Sequence, residues 1–189
     1  MDNRLIRLSG PEDAALIEQL HDEAFGPGRF ARAAYRVREQ APDSGFGLTA
    51  WRDGALAGSV HFTPIVIGGR GGAMMLGPLA VAPRFKGIGL GRWLVEEGVA
   101  RAGASGAALV ILVGDLPYYA RMDFQRIPTG QISLPGPVAP ERLLAREIRA
   151  GALREYTGLV GGDKKAAVTL VQEAADEPAV LQRPEEVDG

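Results

Sequence analysis

Three glycines stand between two basic residues near the middle of the chain. The members of this cluster are Lys86, Gly87, Gly89, Gly91 and Arg92. Glycine lets a backbone bend sharply and approach a ligand closely. Backbone N–H groups at the start of a helix point outward at its positive end, where they bind anions. The cluster therefore predicts a cradle for a pyrophosphate group.

The elements around this cluster fix its position. An apolar strand over 74–81 leads into a loop over 82–89, and apolar residues at helical spacing follow, beginning with Leu90 and Leu94. The next strand is the apolar run 108–113, which lies between Gly106 and Gly114 and indicates burial on both faces.

The first third of the chain predicts a strand, two helices and a hairpin. The strand is Leu5–Leu8, and Ser9 with Glu12 three residues later indicates the start of the first helix. A second helix is expected from about Arg29 to Gln40. Strands over 46–51 and 55–63 flank Asp53-Gly54, a pair typical of tight hairpin turns.

Beyond Phe124 the pattern predicts one or two short strands up to Leu134 and a helix from about Pro140 to Arg149. We expect a single domain over 1–160 and a partly disordered C-terminal extension over 161–189. The element order is that of a mixed α/β (α+β) protein, in which an antiparallel first half feeds a strand-helix-strand crossover.

Composition excludes several classes of protein. The chain has 189 residues, a net charge of −2 and no cysteine, which excludes disulfide frameworks, thiolate nucleophiles and cysteine-based zinc sites. No apolar run reaches the ~18 residues of a membrane span, and no signal peptide is recognisable. We therefore expect a cytoplasmic protein without a nucleic-acid or membrane partner.

A dinucleotide-binding unit is one alternative for the glycine cluster. Asp115, at the end of the next strand, lies about where a ribose-binding carboxylate would be. Two observations disfavour this interpretation. Five residues, Ala82 to Lys86, separate the strand from the glycines, and an antiparallel hairpin does not suit a doubly wound sheet. A glycine-rich turn without any ligand is the remaining alternative.

The segment from Val81 to Leu94 resembles the acetyl-CoA motif of the GNAT superfamily of N-acetyltransferases, Gln/Arg-x-x-Gly-x-Gly/Ala. Here Lys86, Gly89 and Gly91 match the motif, with Lys86 in place of Gln or Arg. A second register, from Arg84 to Gly89, also fits the short motif. Pro83 and Leu94 favour the first, and the paired tyrosines after Asp115 are similar to the YhbS-like subgroup.

The resemblance implies a largely antiparallel central sheet with a splayed central strand pair and flanking helices. Acetyl-CoA would be the co-substrate, with its pantetheine arm in the slot between the two strands, and no metal would be needed. It implies that ten residues bind acetyl-CoA: Leu79, Ala80, Val81, Lys86, Gly87, Ile88, Gly89, Leu90, Gly91 and Arg92.

The resemblance also extends to the segment that follows the buried strand. Tyr119 matches the tyrosine of the family's Tyr-x-x-x-Gly-Phe signature, in which Asp123 replaces the glycine. It is thus the candidate general acid for the CoA thiolate. Asp115 is the candidate general base, although it could instead cap a helix. His61, His21 or a water chain are alternatives.

The sequence and the resemblance together predict direct acetyl transfer to a primary amine of a small-molecule or peptide acceptor. A catalytically silent acyl-CoA sensor of the same fold is the alternative, because the strand before the glycine loop carries no carboxylate. A stripe of Arg29, Arg32 and Arg36 either attracts an acidic acceptor or is simply solvated. A homodimer is also compatible with the family.

Overall fold

The computed structural model describes residues 4–26, 33–40, 44–166 and 180–182. Within those ranges the α-helices are α1 (Ala14–Phe25), α2 (Ala33–Glu39), α3 (Leu90–Ala104) and α4 (Leu116–Tyr119). The strands are β1 (Arg4–Leu8), β2 (Phe46–Arg52), β3 (Ala55–Ile67), β4 (Arg70–Val81), β5 (Leu109–Val113), β6 (Gln125–Arg126), β7 (Ile132–Ser133), β8 (Leu143–Glu147), β9 (Gly158–Gly162) and β10 (Val180–Gln182). None of the helices described here is long and apolar enough to cross a membrane.

The strands form one mixed sheet with the order β10-β1-β2-β3-β4-β5-β8-β6. Neighbours in that order are antiparallel, except that β4 and β5 are parallel. β9 pairs with the far end of β3 and also with β7. Parallel strands need a crossover connection, whereas antiparallel neighbours can be joined by a short turn. Helix α3 makes this crossover between β4 and β5. The predicted mixed α/β class and largely antiparallel sheet are confirmed.

The central strand pair β4 and β5 separates toward one end. Their ladder joins the segment Ala73–Met75 to Leu109–Ile111 and stops there. β4 continues to Val81, and over this last part it pairs through its other edge with β3, where Leu79 lies opposite Val60. A slot therefore opens between β4 and β5 beyond Met75, as expected for a splayed pair.

The hairpin between β2 and β3 turns at Asp53 and Gly54, whose φ angles are 50° and 80°. Positive φ at both central positions matches the twist of the flanking strands. β3 continues past residue 63, where the sequence places the end of the strand, and passes through Pro64. It runs on to Ile67, and β9 covers this extension by pairing with residues 65–67.

Helices cover both faces of the sheet around the slot. On one face, α3 packs against alternate residues such as Phe62, Met74 and Val110. On the opposite face, α2 contacts β3, β4, β5 and β9, and Val37 packs in the same cluster as Met75. The slot thus has an α3 side and an α1/α2 side.

The helix predicted from Pro140 to Arg149 is wrong. Residues 143–147 form β8, which lies between β5 and β6. The side chains of Leu143, Leu144 and Ala145 are all buried there. These residue types favour helix in isolation, but pairing with a buried central strand outweighs local preference.

The structure places a strand inside the predicted C-terminal extension. Residues 180–182 form β10, which pairs antiparallel with β1 at the edge of the sheet. The boundary expected at residue 160 falls inside β9. Residues 167–179 and 183–189 lie outside the described part of the chain.

Candidate active site

The glycine cluster forms the turn that starts α3. Gly87 and Gly89 both have φ of +82°, a conformation that L side chains rarely adopt. The first hydrogen bond within the helix runs from the Trp93 N–H to the Gly89 carbonyl, at 3.0 Å. The three N–H groups before it have no acceptor inside the helix, and no side chain caps this end. The turn thus presents unpaired donors, as a phosphate cradle requires.

Basic residues from distant parts of the chain surround this turn. Arg4 of β1 donates to the Ile88 carbonyl at 3.4 Å. The guanidinium groups of Arg52 and Arg84 lie over the Phe85 ring, at 5.8 and 4.9 Å from its centre. Together with exposed Lys86 they make the entrance positive, which favours a polyanionic ligand. No local pattern predicts Arg4 or Arg52 at this site, because only the folded β1–β2 pair brings them to the loop.

The predicted thioester-binding strand lies at the open part of β4. Leu79 and Val81 pack toward α3, whereas Ala80 faces the opposite side and packs with Leu20 of α1. Val81 lies next to the glycine turn, since a Cβ placed on Gly91 would be 3.5 Å from its Cγ2. The structure therefore joins the end of β4 to the start of α3 in one continuous wall.

Tyr118 and Tyr119 point to different places. The Tyr118 hydroxyl lies over the first turn of α3, where a Cβ placed on Gly91 would be 2.5 Å from its oxygen. The Tyr119 ring packs on Gly114 at the end of β5. It makes edge-to-face contacts with Tyr118 and Phe124, with centroids 4.9 and 5.7 Å apart. Tyr119 is thus held by packing, whereas Tyr118 reaches the cradle.

Asp123, which replaces the family's glycine, has φ of 61°. This left-handed conformation ends the short turn after α4, and aspartate accepts it better than most residues do. The following residue, Phe124, is buried in the core under α3. The replacement thus preserves the backbone turn that the signature requires.

Asp115 precedes α4 at the mouth of the slot. Its backbone carbonyl accepts the N–H groups of Tyr118 and Tyr119, at 3.1 and 3.2 Å. Its carboxylate does not cap the helix. That side chain is 77% exposed and lies 3.3 Å from Arg142 Nε. The carboxylate is therefore open to solvent, and a general-base role for it stays a prediction.

The α1/α2 side of the slot contains a polar cluster, which consists of His21, Tyr35, Ser59, His61 and Thr63. All of these are buried except His61, which is partly exposed. His21 joins helix and sheet: its Nδ1 lies 2.7 Å from the Tyr35 hydroxyl and its Nε2 lies 3.4 Å from Ser59 Oγ. Thr63 Oγ1 is buried, and no described group forms a hydrogen bond with it.

His61 lies in this cluster, on the face of β3 opposite α3, and is partly exposed. Its Nε2–H donates to the Ser44 carbonyl at 3.3 Å. Burial, followed by repulsion from Arg38, lowers the pKa of His61 to about 3, although the hydrogen bond to Ser44 opposes this. The imidazole is therefore neutral near pH 7 and a poor proton acceptor.

The sequence does not predict that Tyr35 and Ser59 belong to this polar cluster. A signal for Ser59 existed, because Ser59, His61 and Thr63 alternate with apolar residues along β3 and mark one face of the strand as polar. Tyr35 gave no such signal, since its contact with His21 depends on how α1 and α2 pack. Of the predicted arginine stripe, Arg36 is exposed on α2, and Arg29 and Arg32 lie outside the described residues.

The described residues contain no group of three or more acidic or histidine side chains that could hold a metal ion. The dinucleotide-binding alternative is wrong at the level of fold, because β4 runs antiparallel to β3 rather than continuing a doubly wound parallel sheet. The slot and the cradle together suit an extended ligand with an anionic end, held between the two splayed strands of an open sheet.

Comparison with known proteins identifies this class. Residues 14–124 match the acetyltransferase (GNAT) family. The uncharacterized N-acetyltransferase YhbS of Escherichia coli K12 is 32% identical over 161 residues, which cover 82% of this chain and 94% of that protein. The chain belongs to the GNAT family of acetyltransferases.

Two solved structures share its fold. The E. coli YhbS structure, in complex with CoA, has a TM-score of 0.75 and 29% identity, and covers 87% of this chain and 92% of its own. A GNAT acetyltransferase from Brucella melitensis, in complex with acetyl-CoA, has a TM-score of 0.57 and 32% identity, over 77% and 96%. The predicted resemblance to YhbS-like proteins is confirmed.

Proposed function

We propose that the chain transfers the acetyl group of acetyl-CoA directly to a primary amine, without a covalent enzyme intermediate. The observation that carries this proposal is the opening of the β4–β5 slot directly beside the anion cradle. Val81 at the end of β4 and Gly91 at the start of α3 line the same wall. An extended thioester with a pyrophosphate at its far end fits such an arrangement, and the CoA complexes of related structures support it.

The cradle residues would hold the pyrophosphate mainly through backbone N–H groups. The unpaired donors of the first turn of α3 supply these groups, and Lys86 and Arg92 add formal charge. Because backbone groups contribute most of this binding, Lys86 can replace the family's Gln or Arg. Gly87, Ile88, Gly89 and Leu90 would shape the turn around the ligand.

The residues Leu79, Ala80 and Val81 would align the thioester. Their backbone pairs with β3 on one edge, and the other edge faces the slot beyond the end of the β4–β5 ladder. An extended ligand can pair with such an edge as an added strand does. A main-chain N–H there would also polarise the acetyl carbonyl and stabilise the charge that develops on its oxygen.

Tyr119 would protonate the departing thiolate. Its ring packs between Gly114, Tyr118 and Phe124, so these contacts hold the side chain at the end of β5. Asp115, four residues earlier, would accept the proton that the ammonium form of the acceptor must lose, directly or through water. The polar cluster on the α1/α2 side would contact the incoming amine.

The experiment measures CoA release with a thiol reagent, using acetyl-CoA and a panel of amines. We expect turnover with some primary amine, and a loss of about a hundredfold or more in kcat for Tyr119→Phe with unchanged acetyl-CoA binding. Binding without turnover across a broad panel would favour the silent sensor. Absence of acetyl-CoA binding would contradict the proposed function.

Tyr156→Phe is the matched control for the loss of a phenol hydroxyl. Tyr156 is buried, and its hydroxyl donates at 2.9 Å to the carbonyl of Gly71, at the end of β4 opposite the slot. This variant should lose some stability and keep its kcat. A comparable loss of kcat in both variants would indicate general damage rather than loss of an acid.

A further inference from the structure

The Tyr118 hydroxyl lies where the proposed function places the pyrophosphate. A Cβ placed on Gly91 would be 2.5 Å from the hydroxyl oxygen but 3.8 Å from the ring carbon that carries it. A methyl group at position 91 would therefore conflict with the hydroxyl and not with the ring, and the Tyr118 side chain would have to shift. The family motif accepts Gly or Ala at this position, and in this chain the glycine leaves space that the Tyr118 hydroxyl occupies.

The hydroxyl of Tyr118 makes no hydrogen bond with any group in the described ranges. The contacts of this side chain are the edge-to-face packing on Tyr119 and the approach to Gly91. The residue is 42% exposed, and the hydroxyl faces the helix end that has no side-chain cap. The Tyr118 hydroxyl and the unpaired N–H groups at the start of α3 thus lie around the same space beside Gly91.

The protonation state suits a donor. Burial raises the pKa of Tyr118 above its usual value, and the nearby charge of Arg121 opposes this effect. The phenol therefore keeps its proton across the neutral range. Hydrogen bonds from such donors to phosphate oxygens are stronger than neutral ones, because the acceptor is charged.

We propose that the Tyr118 hydroxyl donates a hydrogen bond to a pyrophosphate oxygen of bound CoA, and that Gly91 leaves room for the hydroxyl in the position where it does so. This inference rests on the proposed function. It assigns different roles to the two adjacent tyrosines: Tyr118 binds CoA, and Tyr119 protonates the departing thiolate. Tyr118 is in this sense a binding residue, a role that neither its residue type nor its spacing predicts.

The test is the dissociation constant of CoA, measured by isothermal titration calorimetry. Tyr118→Phe should weaken CoA binding about tenfold, the loss expected for one hydrogen bond to a charged group. In turnover, its KM for acetyl-CoA should rise by a similar factor while kcat stays near the wild-type value. Tyr119→Phe, which removes the neighbouring hydroxyl, should bind CoA within about twofold of wild type.

Gly91→Ala provides an independent measurement. The new methyl group would displace the Tyr118 hydroxyl, so this variant should also bind CoA about tenfold more weakly. The double variant Gly91→Ala/Tyr118→Phe should bind no more weakly than Tyr118→Phe alone. Without the hydroxyl, the nearest ring carbon of residue 118 would be 3.8 Å from the new methyl group, which is an ordinary contact distance. If the two losses multiply instead, the methyl group acts on the ligand directly. The proposed link between Gly91 and the Tyr118 hydroxyl would then be wrong.

The outcomes distinguish this inference from the proposed function. If wild type does not bind CoA, the proposed function fails. If wild type binds CoA and Tyr118→Phe binds it equally well, the role of Tyr118 fails alone. Unchanged binding with lost turnover would make Tyr118 the proton donor and would also overturn the assignment. Thermal melting of each variant checks that the half-exposed position tolerates the change.

Discussion

The ring of Phe62 lies directly on Gly98, in the middle of α3. Any Cβ at position 98 would overlap three atoms of this ring. Phe62 is fully buried on β3 and stacks on Phe46, with ring centres 5.1 Å apart and planes 7° from parallel. This contact sets how closely α3 approaches the sheet, and so fixes the height of the cradle above β4.

Gly98→Ala should therefore destabilise the fold, although alanine normally favours a helix interior by about 1 kcal/mol over glycine. The overlap with a buried aromatic ring forces a shift of α3 or of Phe62, and overpacking of this kind costs about 1–3 kcal/mol. We expect a lower free energy of unfolding in urea and weaker CoA binding.

Gly103→Ala is the matched control on the same helix. A Cβ there would meet the flexible side chain of Ile148, whose Cγ2 would lie 3.2 Å away. Its stability should equal or exceed that of wild type, because helix propensity outweighs a small adjustment. If Gly98→Ala proved as stable as Gly103→Ala, α3 would have to lie farther from β3 than described.

His61 should remain neutral well below the usual histidine pKa. Its pKa in the folded state is lowered to about 3 from 6.5, mainly by burial and then by Arg38. The folded protein thus binds fewer protons than the unfolded chain between these values. The stability contributed by neutral His61 is complete above pH 6.5 and is lost as the pH falls toward 3.

Two measurements check this behaviour. The chain has two histidines, so NMR can follow each ring, and the His61 resonances should not titrate between pH 8 and 5. Between pH 6.5 and 5 wild type should lose about 2 kcal/mol that His61→Gln does not lose. Arg38→Gln should raise the pKa of His61. A midpoint near 6.5 in wild type would show that the ring is hydrated.

Asp13 contributes stability through a buried ion pair at the start of α1. Arg7 donates two hydrogen bonds of 2.7 Å to its carboxylate, and the Gly10 N–H donates a third at 2.9 Å. Burial alone would raise the pKa of Asp13, but these bonds and the Arg7 charge lower it below the usual 3.8. This contribution is complete above pH 3.8 and is lost as the pH falls further.

Asp13→Asn should lower the free energy of unfolding by about 2 kcal/mol at pH 7, the range for hydrogen bonds to charged groups. Glu12→Gln is the control, because that side chain is 69% exposed and lies 3.8 Å from Arg7. Its effect should be within about 0.5 kcal/mol. Equal effects of both changes in chemical denaturation would show that Arg7 does not discriminate between the two carboxylates.

The sequence predicts the parts of the fold that depend on local chemistry. The Asp53-Gly54 turn, the glycine turn before α3 and the buried strand β5 were all recognisable, because backbone conformation or continuous apolar character determines them. The predicted pair of Ser9 and Glu12 at the start of the first helix is wrong in both residues. The N-cap is Gly10, and its N–H donates to Asp13, the carboxylate that Arg7 of β1 also binds. That choice depends on tertiary structure.

Pairing between distant segments explains the remaining differences. β8 has the residues of a helix and becomes a strand because β5 offers it an edge. His21, Tyr35 and Ser59 come from three elements, and their hydrogen bonds appear only when α1 and α2 pack on β3. The approach of Tyr118 to Gly91 likewise depends on how α4 lies across α3, which periodicity does not predict.

A last prediction concerns Asp115, whose exposed carboxylate is paired with Arg142 at 3.3 Å. If Asp115 accepts the proton of the ammonium acceptor, Asp115→Asn should lower kcat/KM for the amine about a hundredfold, as general-base catalysis contributes this much. The loss should shrink at high pH, where the amine arrives neutral and needs no base. Arg142→Gln removes the partner and keeps the carboxylate, so it should retain most of the activity. A pH-independent loss shared by both variants would show that the pair only holds α4 in place, and the proton would then leave through water or the polar cluster on the α1/α2 side.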